Sequence, residues 1–143
     1  MRREGVPAKD TEATSIRVLV NSPDRDIGDF LKERLFLPQW EVISTRPGPE
    51  FVEVAQRERP EIAVIDRIHE RLAAAQVEIA VLKNIRPEVR IIALSREPSK
   101  EDAQVVERGV FYYLAQDWRP VIVDVIQAAS RSYRRAGGVM PTS

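Results

Sequence analysis

The chain has 143 residues, 43% of them hydrophobic and 31% charged, which suits one soluble domain with one core. Lysine plus arginine and aspartate plus glutamate both number 22, so the formal net charge is zero and a nucleic-acid-binding module is not expected. There is no cysteine and a single histidine, His69, which excludes disulfides, thiolate chemistry and a histidine-rich metal site.

Residues 1–15 are polar and of mixed charge, and are read as a disordered N-terminal segment. They contain no apolar run of the kind a signal peptide needs, and no stretch reaches the length of a membrane span, so the expected location is the cytoplasm with no membrane partner. "SIRVLVN" holds Ile16, Val18, Leu19 and Val20 in a short β-branched run typical of a buried parallel strand. "SPDRDIGDFLKERLFL" places Ile27, Phe30, Leu31 and Leu35 at helical spacing, with Ser22 or Asp24 as its cap and Pro23 just inside.

"WEVIST" (40–45) reads as a second strand and "RPGPE" as a turn. "FVEVAQRER" (51–59) is a short helix stopped by Pro60, and "EIAVID" is a third strand. In "RLAAAQVEIAVLKNI" (71–85), Leu72, Ile79, Leu82 and Ile85 share a helix face. "VRIIALS" (89–95) is a fourth strand. "SKEDAQVVERG" follows as a helix, capped by Ser99 and stopped by Gly109. "VFYYLA" (110–115) is a fifth strand. The last helix is "RPVIVDVIQAASRSYRR", with Ile122, Val125, Ile126 and Ala129 inward.

Five strands alternating with five helices predict an α/β fold, a single doubly wound five-stranded parallel sheet. The domain is expected over 16–135, with 136–143 a flexible tail. Function in such sheets sits at the strand carboxyl ends, here Asn21, Ser22, Asp24, Thr45, Asp66, Ser95, Gln116 and Asp117. No GxGxxG, P-loop or G-x-S-x-G pattern is present, so nucleotide sites and a nucleophile elbow are unsupported.

With "PEIAVID", "IIALS" and "RGVFYYLAQDW" in this order, the chain resembles a response-regulator receiver domain over residues 16–134, a flavodoxin-like fold. The resemblance puts Asp66 at the phospho-acceptor position and Ser95 at the hydroxyl that contacts the phosphoryl group. Tyr113 falls at the switch aromatic, and with Phe111, Trp118 and the last helix it lies on the family's usual partner surface. Other positions depart from the family. Its metal-binding acidic pair is replaced by Ser22 and Pro23, with Asp24 one residue on, and its lysine after the fifth strand is Gln116. Asp117 stands where a proline follows that lysine.

Asp24 and Asp66 are the only weak candidates for a metal, and no cofactor is expected. The reading is therefore a degenerate, non-enzymatic receiver in bacterial signal transduction, acting through protein contacts with a histidine kinase, an output protein or a second copy. The alternatives are a conventional Mg²⁺-dependent phospho-acceptor using Asp66, and a small flavodoxin-like module binding a ligand at the strand carboxyl ends. Alternation separates Tyr112 from Tyr113, one toward the core and one toward solvent. His69 reads as a loop residue. Arg131, Arg134 and Arg135 read as helix-dipole complements, with an acidic partner as the sharper alternative.

Overall fold

A computed structural model describes residues 15–67, 75–95, 110–114 and 117–138. Its strands are β1 (Ile16–Asn21), β2 (Trp40–Thr45), β3 (Ile62–Arg67), β4 (Arg90–Ser95) and β5 (Tyr112–Leu114). Its helices are α1 (Asp26–Arg34), α2 (Pro49–Glu58), α3 (Gln76–Ile85) and α4 (Ile122–Gly138). The helix expected from Ser99 to Gly109 lies outside the described residues, as do His69, Leu72 and Gln116.

The strands form one parallel sheet in the order β2-β1-β3-β4-β5. The three inner strands carry apolar residues at almost every position, because both sheet faces are covered and alternation has no polar side to serve. One core joins Val18, Val20, Val64, Ile92 and Leu94 to Ile27, Leu31 and Leu35 of α1 and to Ile122, Val125, Ile126 and Ala129 of α4. The opposite core joins Leu19, Ala63, Ile65, Ile91 and Ala93 to Phe51, Val54 and Ala55 of α2 and to Ile79 and Leu82 of α3. Each fully buried Val, Leu, Ile or Phe among them contributes about 1.5–3 kcal/mol relative to exposure.

Helix ends differ from expectation in several places; α2, for one, begins at Pro49, within the stretch read as a turn. α1 begins at Asp26 rather than beside Pro23, because the Asp24 side chain accepts the Asp26 amide (2.9 Å) while the Asp24 amide donates to Ser22 Oγ (3.2 Å). Residues 22–25 therefore form a hydrogen-bonded turn ahead of the helix. α4 continues to Gly138, past the expected boundary at 135. Gly28 marks a close approach of α1 to β2, where a Cβ would collide with Ser44 Oγ.

Candidate functional site

The carboxyl edge of the sheet gathers the ends of β1 and β3. Their register pairs Val20 with Val64 and Asn21 with Ile65, so Ser22 and Asp66 come next along the same face. Both are buried, Ser22 at 4% and Asp66 at 3% exposure. The Ser22 hydroxyl donates to Asp66 Oδ2 at 2.7 Å, the length of a charge-assisted O–H···O bond. Ser22 Oγ in turn accepts the Asp24 amide. Serine thus meets the carboxylate with a donor where the resemblance placed an acid.

The remaining expected residues divide. Pro23 is exposed, and Asp24 spends its carboxylate on the Asp26 amide. Ser95 is buried at the end of β4, paired in register with Arg67 rather than with Asp66, which pairs with Leu94. Thr45 Oγ1 donates to its neighbour's carbonyl at Arg46. Asp117 accepts the Arg119 amide and lies 3.6 Å from its guanidinium, so it closes the turn into α4. A cavity of about 150 Å³ opens between the ends of β1 and β2, bordered by Ser22, Asp24, Arg25, Thr45, Arg46 and Glu50. Among the described residues, no group of three or more carboxylates or imidazoles converges as a metal cage would require.

The aromatic surface is corrected by packing. Trp118, expected on an exposed partner face, is 5% exposed and belongs to the core between α1 and α4. It meets Phe30 edge to face at 5.1 Å and 78°, and its size fills the gap between these helices. Phe111 is half-buried against the same core. Tyr113 packs on the opposite core with its hydroxyl buried and without a hydrogen bond, while Tyr112 is the exposed member of the pair.

Two polar features were not anticipated. Arg67 follows Asp66 directly, so alternation turns it to the other face of the sheet, under α3. There its Nη2 lies 2.6 Å from Glu78 Oε1, with the two side chains 8% and 9% exposed. The contact is an ion pair by distance rather than an aligned hydrogen bond. The available signal was periodicity, since Glu78 sits one turn before Leu82 on the buried stripe of α3. On the same face as Arg67, Asn21 is 1% exposed, and neither its amide oxygen nor its nitrogen is hydrogen-bonded.

Comparison with solved structures gives this architecture a type. The chain superposes on a CheY-like receiver domain from Methanospirillum hungatei with a TM-score of 0.70, at 17% identity over 86% of this chain and 99% of that one. The fold is that of a response-regulator receiver domain. A receiver domain of a putative LuxO repressor from Vibrio parahaemolyticus gives a TM-score of 0.71, at 11% identity over 90% of this chain and 99% of that one. A Burkholderia pseudomallei response regulator, solved with a phosphorylated aspartic acid and calcium ion, gives 0.62 at 21% identity over 90% of this chain and 76% of that one.

In sequence, the chain is 29% identical over 135 residues to the transcriptional regulatory protein PrrA of Mycobacterium tuberculosis and of Mycobacterium bovis. That match covers 94% of this chain but spans only 57% of the length of those relatives. No family model matches the chain. Among the described residues, no helix of this receiver fold is long and apolar enough to cross a membrane.

Proposed function

We propose that this chain is a degenerate receiver module of two-component signalling, working in the cytoplasm through protein contacts and without Mg²⁺-assisted phosphorylation of Asp66. The observation that carries the reading is the Ser22–Asp66 hydrogen bond. Mg²⁺ requires near-octahedral oxygen ligands and draws them from carboxylates. At this edge Ser22 offers a neutral hydroxyl whose proton already points at Asp66, Pro23 has no side-chain oxygen, and Asp24 is engaged by a backbone amide. These residues do not fit the ion.

The family's cationic support for a phosphoryl group is replaced as well. Gln116 replaces the family's lysine, and Arg67 is turned to the other face and paired with Glu78. Phosphoryl transfer depends on positioning and on neutralising the developing charge, and neither group that does this in the family is available to Asp66. The module has no catalytic role in this reading. Its partners are a histidine kinase, an output protein or another copy of the chain.

One observation favours a second reading, a conventional phospho-acceptor. Asp66 keeps its place at the end of β3, and the Burkholderia relative carries a phosphorylated aspartic acid. Intact-mass measurement after incubation with Mg²⁺ and acetyl phosphate separates the two. The degenerate reading expects no phosphoryl adduct. A stoichiometric adduct that disappears in Asp66→Asn establishes the conventional one.

A further inference from the structure

One buried polar group serves none of the contacts at the carboxyl edge. Asn21 ends the inner strand β1 at 1% exposure, and neither its amide oxygen nor its nitrogen is hydrogen-bonded. A buried amide left in this way costs stability, so its retention calls for a partner in some other arrangement. The register shows what stands beside it. Asn21 pairs with Ile65, and Arg67 lies two residues further along β3 on the same face. A strand spacing of about 4.8 Å and a rise of about 3.3 Å per residue put the two Cα atoms roughly 8 Å apart. An arginine side chain turned toward the asparagine spans that distance.

In the structure the Arg67 guanidinium is turned to Glu78 instead. Nη2 meets Glu78 Oε1 at 2.6 Å, but that oxygen has no aligned hydrogen bond. Burying two charges costs much of what their attraction returns, so such a pair resists loss of one member more than release of both into water. Glu78 sits in the first turn of α3, where release disturbs least. No side chain caps this helix at Ala75, and Val77 is 71% exposed. The bulky residues that seat α3 on the core, Ile79 and Leu82, come after Glu78. Lifting the first turn hydrates the Glu78 carboxylate, and Arg67 then gains Asn21 Oδ1 as its acceptor.

The other end of α3 is tied to a different layer. Arg86, which closes α3, donates from Nε and Nη2 to the Arg59 carbonyl (3.2 and 3.0 Å) and from Nη1 to the Tyr133 hydroxyl (2.7 Å). Its guanidinium also lies over the Tyr133 ring, 5.9 Å from the centroid. Since α2 and α3 cover one face of the sheet and α4 the other, this contact reaches round the amino edge and joins both layers. We propose that Arg67 is a two-position switch, moving between Glu78 and Asn21, and that α3 and its Arg86 clasp carry the move to the end of α4. Two discrete arrangements of one side chain, joined to α4 through a helix, are the two-state element that coupling between distant surfaces requires. The Asn21 position is a minor state, on the order of 1% of molecules, and a partner bound to α3 or to the end of α4 shifts the balance by preferring one position. The switch goes beyond the degenerate reading and works whether or not Asp66 accepts a phosphoryl group.

Two measurements on the full chain test this. Fluorine relaxation dispersion on fluorotyrosine-labelled protein, with Tyr133 assigned through Tyr133→Phe, reads the end of α4. Amide hydrogen exchange of Ala80, Val81 and Leu82, whose helical acceptors lie in the first turn, reads α3. In the wild type, Tyr133 should show microsecond-to-millisecond exchange, and the three amides should exchange by an opening short of global unfolding. Asn21→Val removes the second acceptor and leaves the folded chain intact. It should quench the Tyr133 exchange and slow the three amides about tenfold, the factor for one hydrogen bond to a charged group. Arg86→Met should quench the Tyr133 exchange while the α3 opening persists. Wild-type amides that exchange only by global unfolding overturn the proposal, as does a Tyr133 resonance without exchange. So does exchange that Asn21→Val leaves unchanged, or a Tyr133 signal indifferent to Arg86→Met.

Discussion

Ser22→Asp puts the reading of the carboxyl edge under the strongest strain. Ser22 Oγ lies 2.7 Å from Asp66 Oδ2, and both side chains are almost wholly buried. The substitution replaces a hydrogen-bond donor with a second carboxylate at roughly 4 Å. Two like charges at that separation repel by about 4 kcal/mol at an effective dielectric of about 20. Against a total stability of about 5–15 kcal/mol, the variant should melt on the order of 10 °C or more below the wild type. Mg²⁺ should then recover part of the loss, by about 1.4 kcal/mol at ten times its dissociation constant, since paired carboxylates face each other. The wild type should gain nothing. Thermal unfolding followed by circular dichroism, with and without Mg²⁺, reads both effects. An Asp66-dependent rise in the wild-type melting temperature with Mg²⁺ would refute the reasoning, as would a metal-free Ser22→Asp chain as stable as the parent.

The other expectations concern groups outside the Ser22–Asp66 contact. Removing one member of the buried Arg67–Glu78 pair, by Arg67→Met or Glu78→Leu, should cost about 3–5 kcal/mol, while the double variant should recover most of it. Urea unfolding of the three variants measures the coupling. Asn21→Val should raise the urea midpoint, because a buried amide with no hydrogen bond carries a penalty of about 1–3 kcal/mol that valine does not. In alkali two groups act in opposite directions. Lys83 is lowered from 10.5 by burial and by Arg90, so its share of stability is full above 10.5 and is lost as pH falls through its folded value. Tyr133 is raised from 10.0, mainly by burial, so its share is full below 10.0 and is lost as pH rises through its folded value. Lys83→Met should abolish the gain just below pH 10.5, and Tyr133→Phe the loss above pH 10.0, in stability measured against pH.

Much of this architecture is legible in the sequence because inner parallel strands have no polar side. Runs such as "VLV", "IAVI" and "IIALS" could only be buried on both faces, and their spacing left room for a helix between each pair. Ile27, Leu31 and Leu35 in α1, and Ile122, Val125, Ile126 and Ala129 in α4, fall on the core as their period requires. Local chemistry was less legible. Whether Ser22 caps a helix or meets a carboxylate depends on the offset between β1 and β3, which periodicity along one strand does not encode. The resemblance placed Trp118 on a partner surface, yet its burial is decided by Phe30, far away in the chain.

The adjacency of Asp66 and Arg67 shows why neighbouring residues need not serve one site. Along the sequence a carboxylate and a guanidinium stand side by side and suggest mutual neutralisation. In a strand the pleat sends them to opposite faces, so the cation nearest in sequence is separated from the acid by the sheet itself. Each then takes its partner from a different layer: Asp66 a hydroxyl from the turn after β1, Arg67 a carboxylate from the first turn of α3. The two contacts lie on opposite faces of the sheet. The first gives the Asp66 carboxylate a hydroxyl donor from the turn after β1. The second ties β3 to α3, so a displacement of the strand that carries both residues would reach α3 through Arg67.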